Sequence, residues 1–476
     1  MQESLKSKTI SGILWSAIER FSLQGVQFII NIIMARLLLP SDYGMIGMLA
    51  VFLQISQTFI DGGFANALIQ RKDRTEIDFS TVFYFNTFIA FVFYVLIFFS
   101  APLIADFYNM PGLEDVTRVI ALSLIVSSLS AVHKTKLTID INFKIQSKIS
   151  LTAALISGIV GIWMAYENFG VWALVIQTLM NSVLQTVLYY LLSHWFPLKI
   201  FSWNSFRALF SFGSKLLISS LIHTIYYNLY SIVIGKKFSA TDLGYYTRAE
   251  QFAMFPSSNV NSIISRVTFP ILSGIQDDNE KLASAYRKYI RLVSFIIFPL
   301  MIGLAVLAKP LIILLLTKKW LGIVVLLQIL CLDWMLDHLS IINLNLLYVK
   351  GRSDWALRLE IVKKTIATII LFSSIPLGIV GMCWGRVLYS IIAVYLNSHY
   401  TKSLIGLSLG TQIKDILPSL MISILMGVIV YGGTVLLSNA ILQLLVGFIL
   451  GVGCYIAVSL AFKMDSLHEL LSLVKK

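Results

Sequence analysis

Residues 35–44 read Ala35-Arg36-Leu37-Leu38-Leu39-Pro40-Ser41-Asp42-Tyr43-Gly44, and residues 235–244 read Gly235-Lys236-Lys237-Phe238-Ser239-Ala240-Thr241-Asp242-Leu243-Gly244. Both copies share a cation, a bulky apolar residue two positions on, and then Ser/Thr-Asp-x-Gly. Each copy lies between two long apolar segments. A Ser/Thr-Asp pair can cap the helix that follows, and a glycine can relax the turn after an apolar helix ends. Because the flanking apolar segments run in the same phase around both copies, the pattern reads as a duplicated membrane unit, as in transporters built from two related halves.

Working outward, the whole chain has the composition of a membrane protein. Of its 476 residues 57% are hydrophobic and only 13% charged, with a mean hydropathy of +0.83. So few charges cannot cover a water-facing globule. Apolar stretches of about 20 residues recur along the length, and about 14 of them can each cross a ~30 Å hydrocarbon core as a helix. The expected fold is therefore an all-α polytopic membrane protein. It has two pseudo-symmetric six-helix bundles around a central cavity, with helices one to six in residues 1–200 and helices seven to twelve in residues 201–402. The last two helices occupy residues 403–476. All connections are short, which leaves no room for a soluble catalytic domain.

Charge placement sets the orientation. With the N-terminus in the cytoplasm, roughly 27 of the 37 Lys and Arg residues fall on the cytoplasmic side and about 8 outside. The inside clusters include Arg71-Lys72-Asp73-Arg74, Lys134/Lys136/Lys144/Lys148, Arg287-Lys288/Arg291 and Lys363-Lys364. A net charge of +13 spread over many loops forms no stripe for a nucleic acid. Cys331, Cys383 and Cys454 sit in apolar segments and read as free core thiols. No P-loop, HExxH, Cys/His metal spacing or G-x-S-x-G motif occurs, so the chain reads as a non-enzyme without cofactor or metal.

Polar side chains inside the apolar segments mark faces that avoid lipid. In the first helix Arg20, Gln24, Gln27 and Asn31 stack on one face at helical spacing, with Glu19 about 100° away. An interhelical hydrogen-bond seam would use the amides equally well, but not a cation in the row. The seventh helix carries Lys215, Ser219, His223, Tyr226, Tyr227 and Tyr230 on a similar stripe, where aromatic faces and hydroxyls suit a sugar beside a cation, and where the tyrosines would equally serve as interfacial anchors. Gln54, Gln57 and Asp61 on helix two, and Gln251, Ser258, Ser262 and Arg266 on helix eight, extend the polar wall. Snorkelling to headgroups would equally explain Asp61 and Arg266. Asp333 and Asp337, four apart beside His338, could share a proton, flank a monovalent cation or pair with a basic residue of a neighbouring helix. Arg386, isolated in an apolar helix, demands an acidic partner or a cavity. Coupling to Na⁺ or H⁺ stays open, with Glu19, Asp61, Asp333 and Asp337 as candidates.

The chain also resembles a known family. Trp15-Ser16, Ala35-Arg36-Leu37-Leu38 with Pro40-Ser41-Asp42-Tyr43-Gly44, Gly62-Gly63-Phe64, Gly170-Val171-Trp172, Leu243-Gly244-Tyr245-Tyr246, Phe269-Pro270, Lys319-Trp320 and Lys350-Gly351-Arg352-Ser353 carry the likeness. Together, from about residue 8 to about residue 365, they resemble the Wzx-like polysaccharide or lipopolysaccharide flippases. These form the polysaccharide transport branch of the multidrug, oligosaccharidyl-lipid and polysaccharide exporter superfamily. Asp333, Trp334, Asp337 and His338 match no motif of that family.

The resemblance implies a multi-pass protein of the bacterial inner membrane with both termini cytoplasmic. It further implies that an undecaprenyl-diphosphate-linked oligosaccharide is moved to the outer leaflet by alternating access. Such a substrate serves lipopolysaccharide, capsule or exopolysaccharide synthesis, and implies a polysaccharide polymerase and glycosyltransferases as partners besides membrane lipids. Arg20, Lys215 and Arg266 are then the candidate phosphate partners, and Gln24, Gln27, Asn31, His223, Tyr226 and Tyr230 the candidate sugar contacts. The alternative is a cation-coupled multidrug extruder of the same superfamily, which should line its cavity with acids where this chain places Arg20 and Lys215. A membrane glycosyltransferase or polymerase would need a large outer loop with carboxylates, and the chain has none.

Overall fold

The structure is a computed structural model that describes residues 22–474; the side chains of residues 263–267 and those beyond residue 470 lie outside that description. Glu19 and Arg20 also lie outside the described residues. Among the described residues the fold is all-helical. The first half contains α1 (Ser22–Leu37), α2 (Pro40–Asp61), α3 (Phe64–Gln70), α4 (Glu76–Tyr108), α5 (Leu113–Ile120), α6 (Leu122–Ile139), α7 (Phe143–Tyr166), α8 (Val171–Ser193) and α9 (Trp203–Lys237). The second contains α10 (Ala240–Gly274), α11 (Asn279–Val306), α12 (Ala308–Leu316), α13 (Ile323–Val349), α14 (Ser353–Ser374), α15 (Gly378–Ile405), α16 (Leu409–Val435), α17 (Ala440–Ala461) and α18 (Asp465–Val474).

Eleven segments among the described residues are long and apolar enough to cross a membrane, which makes the chain a multi-pass membrane protein. One of them, Ser353–Ile405, contains both α14 and α15, joined by a single 3-10 turn. Two helices expected to span are not among the eleven. Of α1 only Ser22–Leu37 lies among the described residues, and α10 carries Asp242, Arg248, Glu250 and many amides and hydroxyls along its length.

The duplicated motif works differently from the simple cap-and-turn expectation. In both copies the aspartate sits in the first helical turn and reaches back. Asp42 Oδ2 accepts from the Leu39 N–H at 2.8 Å, and Asp242 Oδ2 accepts from the Ser239 N–H at 3.2 Å and its hydroxyl at 2.8 Å. Ser239 Oγ in turn accepts from the Asp242 N–H at 3.0 Å, completing a capping box. The capping side chains are thus the aspartates and Ser239. The glycines do not relax a turn, since Gly44 and Gly244 lie within helices. They allow a close approach. A Cβ on Gly44 would stand 1.7 Å from the Ala240 carbonyl oxygen, and one on Gly244 would stand 1.9 Å from that of Pro40. The two copies of the motif therefore pack reciprocally against each other, backbone on backbone.

The described chain separates into two compact units, Met1–Gly244 and Tyr245–Lys476. The repeat-based boundaries at residues 200 and 402 follow sequence equivalence, whereas compactness groups α9 with the first unit and α16–α18 with the second. In the first unit α9 packs on α2, α3 and α4. The segment leading into it is stapled to the start of α4: Trp195 Nε1 donates to Glu76 Oε2 at 2.6 Å, the Leu198 N–H to Ser80 Oγ at 2.8 Å, and the Ser202 N–H to Thr81 Oγ1 at 3.1 Å. Gly62 and Gly63, at φ of 51° and 73°, break α2 from α3 in the left-handed region that glycine tolerates. A Cβ on Gly63 would lie 2.5 Å from the Gly213 carbonyl oxygen, so this pair also lets α9 come close.

The second unit is held by a buried polar knot. Asn343 Oδ1 on α13 accepts from Tyr286 on α11 at 2.8 Å, from Thr401 on α15 at 2.5 Å and from Gln412 on α16 at 3.1 Å. Nearby, Arg287 grips Asp415 with two hydrogen bonds of 2.7 Å, a planar fork on a carboxylate. These contacts, with the apolar cluster of Phe295, Ile422, Met426, Val430, Tyr455 and Leu467, dock α16–α18 onto α11.

A candidate binding pocket in the first unit

The polar stripe of α2 organises the site. Gln54, Gln57 and Asp61 recur at helical spacing, and each finds a different use. Gln54 Oε1 accepts from Asn228 Nδ2 of α9 at 2.8 Å, a bond at the protein interior where Asn228 is only 5% exposed. Thr58 and Thr224 face each other across the same seam at 3.2 Å. Gln57 Nε2 donates to Asp61 Oδ1 at 2.8 Å, while its own Oε1 accepts from Ser127 of α6 at 3.3 Å. The amide is therefore oriented, and its NH₂ is aimed at the carboxylate.

Beyond Asp61 the Gly62-Gly63 break turns the chain into α3. Between the end of α2, α3, the C-terminal half of α6 and the first half of α9 lies a cavity of about 480 Å³. Its polar lining comes from Thr58, Asp61, Asn66, Lys134, Thr135, Thr138 and Ser220. Lys134 makes no ion pair or side-chain hydrogen bond among the described residues. Its turn of helix is nevertheless fixed, because its carbonyl accepts from Thr138 Oγ1 at 2.9 Å and from Gln146 Nε2 of α7 at 3.3 Å. With one acid and one base, the pocket is neutral, and four hydroxyls and the Asn66 amide complete its polar lining.

The other residues singled out from the sequence are distributed as follows. Gln24 and Asn31 of α1 are half-buried and Gln27 is exposed, and the three form no hydrogen bond among the described residues. On α9, Lys215, Ser219 and His223 are exposed, Tyr226 and Tyr230 are half-buried, and His223 stacks on Tyr227 with ring centroids 6.2 Å apart. Lys215 stands beside Leu216 and Leu217 of the pocket wall without lining the pocket itself. Arg266 lies on α10, with its side chain outside the described residues.

In the second unit Asp333 and Asp337 part company. Asp333 pairs with Arg386 Nη2 at 2.7 Å and accepts from the Ser390 hydroxyl. Arg386 Nη1 also reaches Glu250 and the Tyr246 hydroxyl, both at 2.6 Å. The isolated arginine thus has two acidic partners. Asp337 instead accepts from Asn261 Nδ2 at 3.3 Å. His338 is a core residue, fully buried, bonded to Ser294 at 2.8 Å and edge-on to Phe298.

Two participants escaped the sequence reading. Among basic residues that read as orienting charges, Lys134 stands out only by sharing a helix face with Thr138 at i, i+4. Glu250 was one acid in a polar helix, and its position four residues after Tyr246 was the available signal.

The comparisons agree with this architecture. The model of the family described as "Polysaccharide biosynthesis protein" matches residues 33–325. The chain is 26% identical over 433 residues to the teichuronic acid biosynthesis protein TuaB of Bacillus subtilis, covering 90% of this chain and 89% of that one. To the lipopolysaccharide biosynthesis protein WzxC of Escherichia coli it is 28% identical over 446 residues, again covering 90% and 89%. Among solved structures, the lipid II flippase MurJ in an inward closed conformation superposes with a TM-score of 0.77 at 16% identity, over 96% of this chain and all of that one. A multidrug resistance MATE family transporter in an inward-facing conformation superposes at 0.61 and 16% identity, over 83% and 98%. At such identity these two show the fold. With more than half its length matched by one family model, and with WzxC aligned over 90% of it, the chain belongs to the polysaccharide biosynthesis protein family, in the Wzx-like transport branch it resembles.

Proposed function

We propose that this protein is a flippase for a lipid-linked oligosaccharide, carrying an undecaprenyl-diphosphate-linked glycan from the cytoplasmic to the outer leaflet of a bacterial inner membrane by alternating access. The observation that carries the reading is the neutral, hydroxyl-lined pocket of the first unit, set in a chain whose relatives are named for making or moving surface polysaccharides. In this reading fourteen helices cross the membrane, twelve in two bundles and two appended, with both termini cytoplasmic. The pocket then lies at the cytoplasmic end, because the same end carries Arg71, Lys72, Arg74, Lys136, Lys144 and Lys148. Glycosyltransferases and a polymerase act before and after it. Arg20, Lys215 and Arg266 stay proposed as phosphate partners, and Gln24, Gln27, Asn31, His223, Tyr226 and Tyr230 as sugar contacts.

A drug extruder for organic cations would keep an uncompensated acid in its cavity. Here the acid of the pocket, Asp61, shares it with Lys134, and Asp333 is paired with Arg386; Asp337, without an ion pair among the described residues, does not line that pocket. Coupling to Na⁺ or H⁺ falls most naturally to Asp337, an embedded carboxylate that makes no ion pair among the described residues. The reading is tested in a deletion strain. Lipid-linked glycan should accumulate on the cytoplasmic face and disappear when the full chain is restored. Unchanged glycan export on deletion, or dye efflux that depends on Asp61, would defeat it.

A further inference from the structure

We infer that the pocket of the first unit is a site for the junction between a sugar and its phosphate: Lys134 takes a phosphate oxygen, and Asp61 accepts from hydroxyls of the adjoining sugar ring. This assignment rests on the flippase reading for its physiological ligand, but its chemistry follows from the pocket. A volume of about 480 Å³ is toward the small end of the range for small-molecule sites, about 300–1,000 Å³. It admits a headgroup of one or two rings and excludes a polysaccharide.

Charge narrows the class. One ammonium and one carboxylate make a neutral cavity, which favours neither a polyanion such as free diphosphate nor an organic cation. A ligand with one anionic group at one end and hydroxyls at the other matches both charges. The acid is prepared for that task. Gln57 occupies Asp61 Oδ1 and is itself oriented by Ser127, which leaves Oδ2 to accept from the ligand. Asn66 and Ser220 supply a further amide and hydroxyl around the ring, while the Thr135 and Thr138 hydroxyls already donate to the Ala131 and Lys134 carbonyls. Lys134, in the same pocket, stands on a helical turn tied to α7 through Gln146, so the cation is carried on a fixed backbone while its side chain makes no hydrogen bond or ion pair among the described residues. A lysine acts on phosphate as a point charge, and the pocket does not require a fork.

The same junction occurs in a free sugar phosphate and in a polyprenyl-linked one, and the experiment separates them. Purified full-length protein in nanodiscs is titrated with glucose, inorganic phosphate, glucose 1-phosphate and a short-chain polyprenyl-phosphate glucose, with binding followed by calorimetry. The expected order is weak or no binding of glucose and phosphate alone and clear binding of both joined probes. Lys134→Gln should weaken the joined probes about tenfold or more, and Lys134→Arg should keep most of the affinity. Asp61→Asn should weaken the joined probes about tenfold while leaving inorganic phosphate unchanged. Tighter binding of the lipid-linked probe names the membrane lipid as the source, and equal binding names the soluble sugar phosphate. Inorganic phosphate binding as tightly as glucose 1-phosphate would overturn the inference, as would joined probes indifferent to both Lys134→Gln and Asp61→Asn. Binding that survives while deletion leaves glycan export unchanged would keep the site and remove the flippase reading. Lost binding alongside a clear export defect would do the reverse.

Discussion

Asp61 and Asp333 are both carboxylates on long membrane-spanning helices, and their surroundings differ. Asp333 is clamped by Arg386, which Glu250 and Tyr246 hold in turn, so three helices of the second unit meet at one guanidinium. Asp61 is tied at a single oxygen by Gln57 and faces a cavity, with Lys134 lining the same space. A charge inside a membrane protein therefore announces neither structure nor function by its presence. What separates the two cases is how many of its hydrogen-bonding positions the protein itself has filled.

That contrast can be broken by substitution. The largest effect on stability is expected at the clamp. Arg386→Ala leaves Glu250 and Asp333 uncompensated and should cost about 3–5 kcal/mol, seen as a lower melting temperature of the detergent-purified protein. Pairing Arg386→Met with Asp333→Leu and Glu250→Leu should recover most of that loss, because apolar side chains of similar size can replace a buried ion cluster. If Arg386→Ala melts like the parent, the clamp is not structural.

Next is the contact between the two motif copies. Gly44→Ala and Gly244→Ala each place a methyl against a backbone carbonyl that cannot rotate away, so each should destabilise by about 1–3 kcal/mol. An equal penalty at both positions would confirm the reciprocity, and a neutral effect at either would show that the helices separate freely. A smaller loss, about 1 kcal/mol, is expected for Gln57→Leu, which frees Asp61 from its donor. Export should fall with it, because the carboxylate is no longer aimed.

The smallest stability effect belongs to Lys134→Gln, within about 0.5 kcal/mol of the parent, since the ammonium makes no hydrogen bond or ion pair among the described residues. Yet this variant should lose most of its glycan export in a complementation assay at native expression. A folded, inactive Lys134→Gln beside a misfolded Arg386→Ala is the sharpest form of the comparison.

Much of the fold was legible from hydropathy. Chain composition alone places long helices in lipid. The candidate site was less legible. The stripe on α2 was visible at positions 54, 57 and 61, but periodicity could not tell that Gln54 closes a seam with Asn228 while Asp61 opens onto a pocket. Lys134 was hidden among orienting cations for the same reason: its helix face is read only against α2 and α9.

What the amino-acid sequence determined by itself is local. A run of about 20 apolar residues must satisfy its backbone internally in a bilayer, and so becomes a helix whatever lies around it. The duplicated Asp-x-Gly turn belongs here too, since a first-turn aspartate caps through neighbours three residues away. Tertiary structure alone decided the rest: that Gly44 and Gly244 serve contact and not a turn, that α9 packs with the first unit, and that Arg386 answers Asp333 and Glu250 while Lys134 stays available. These outcomes depend on which distant side chains arrive within about 3 Å of each other, and hydrogen bonds and ion pairs fall off too steeply with distance for any local pattern to encode them.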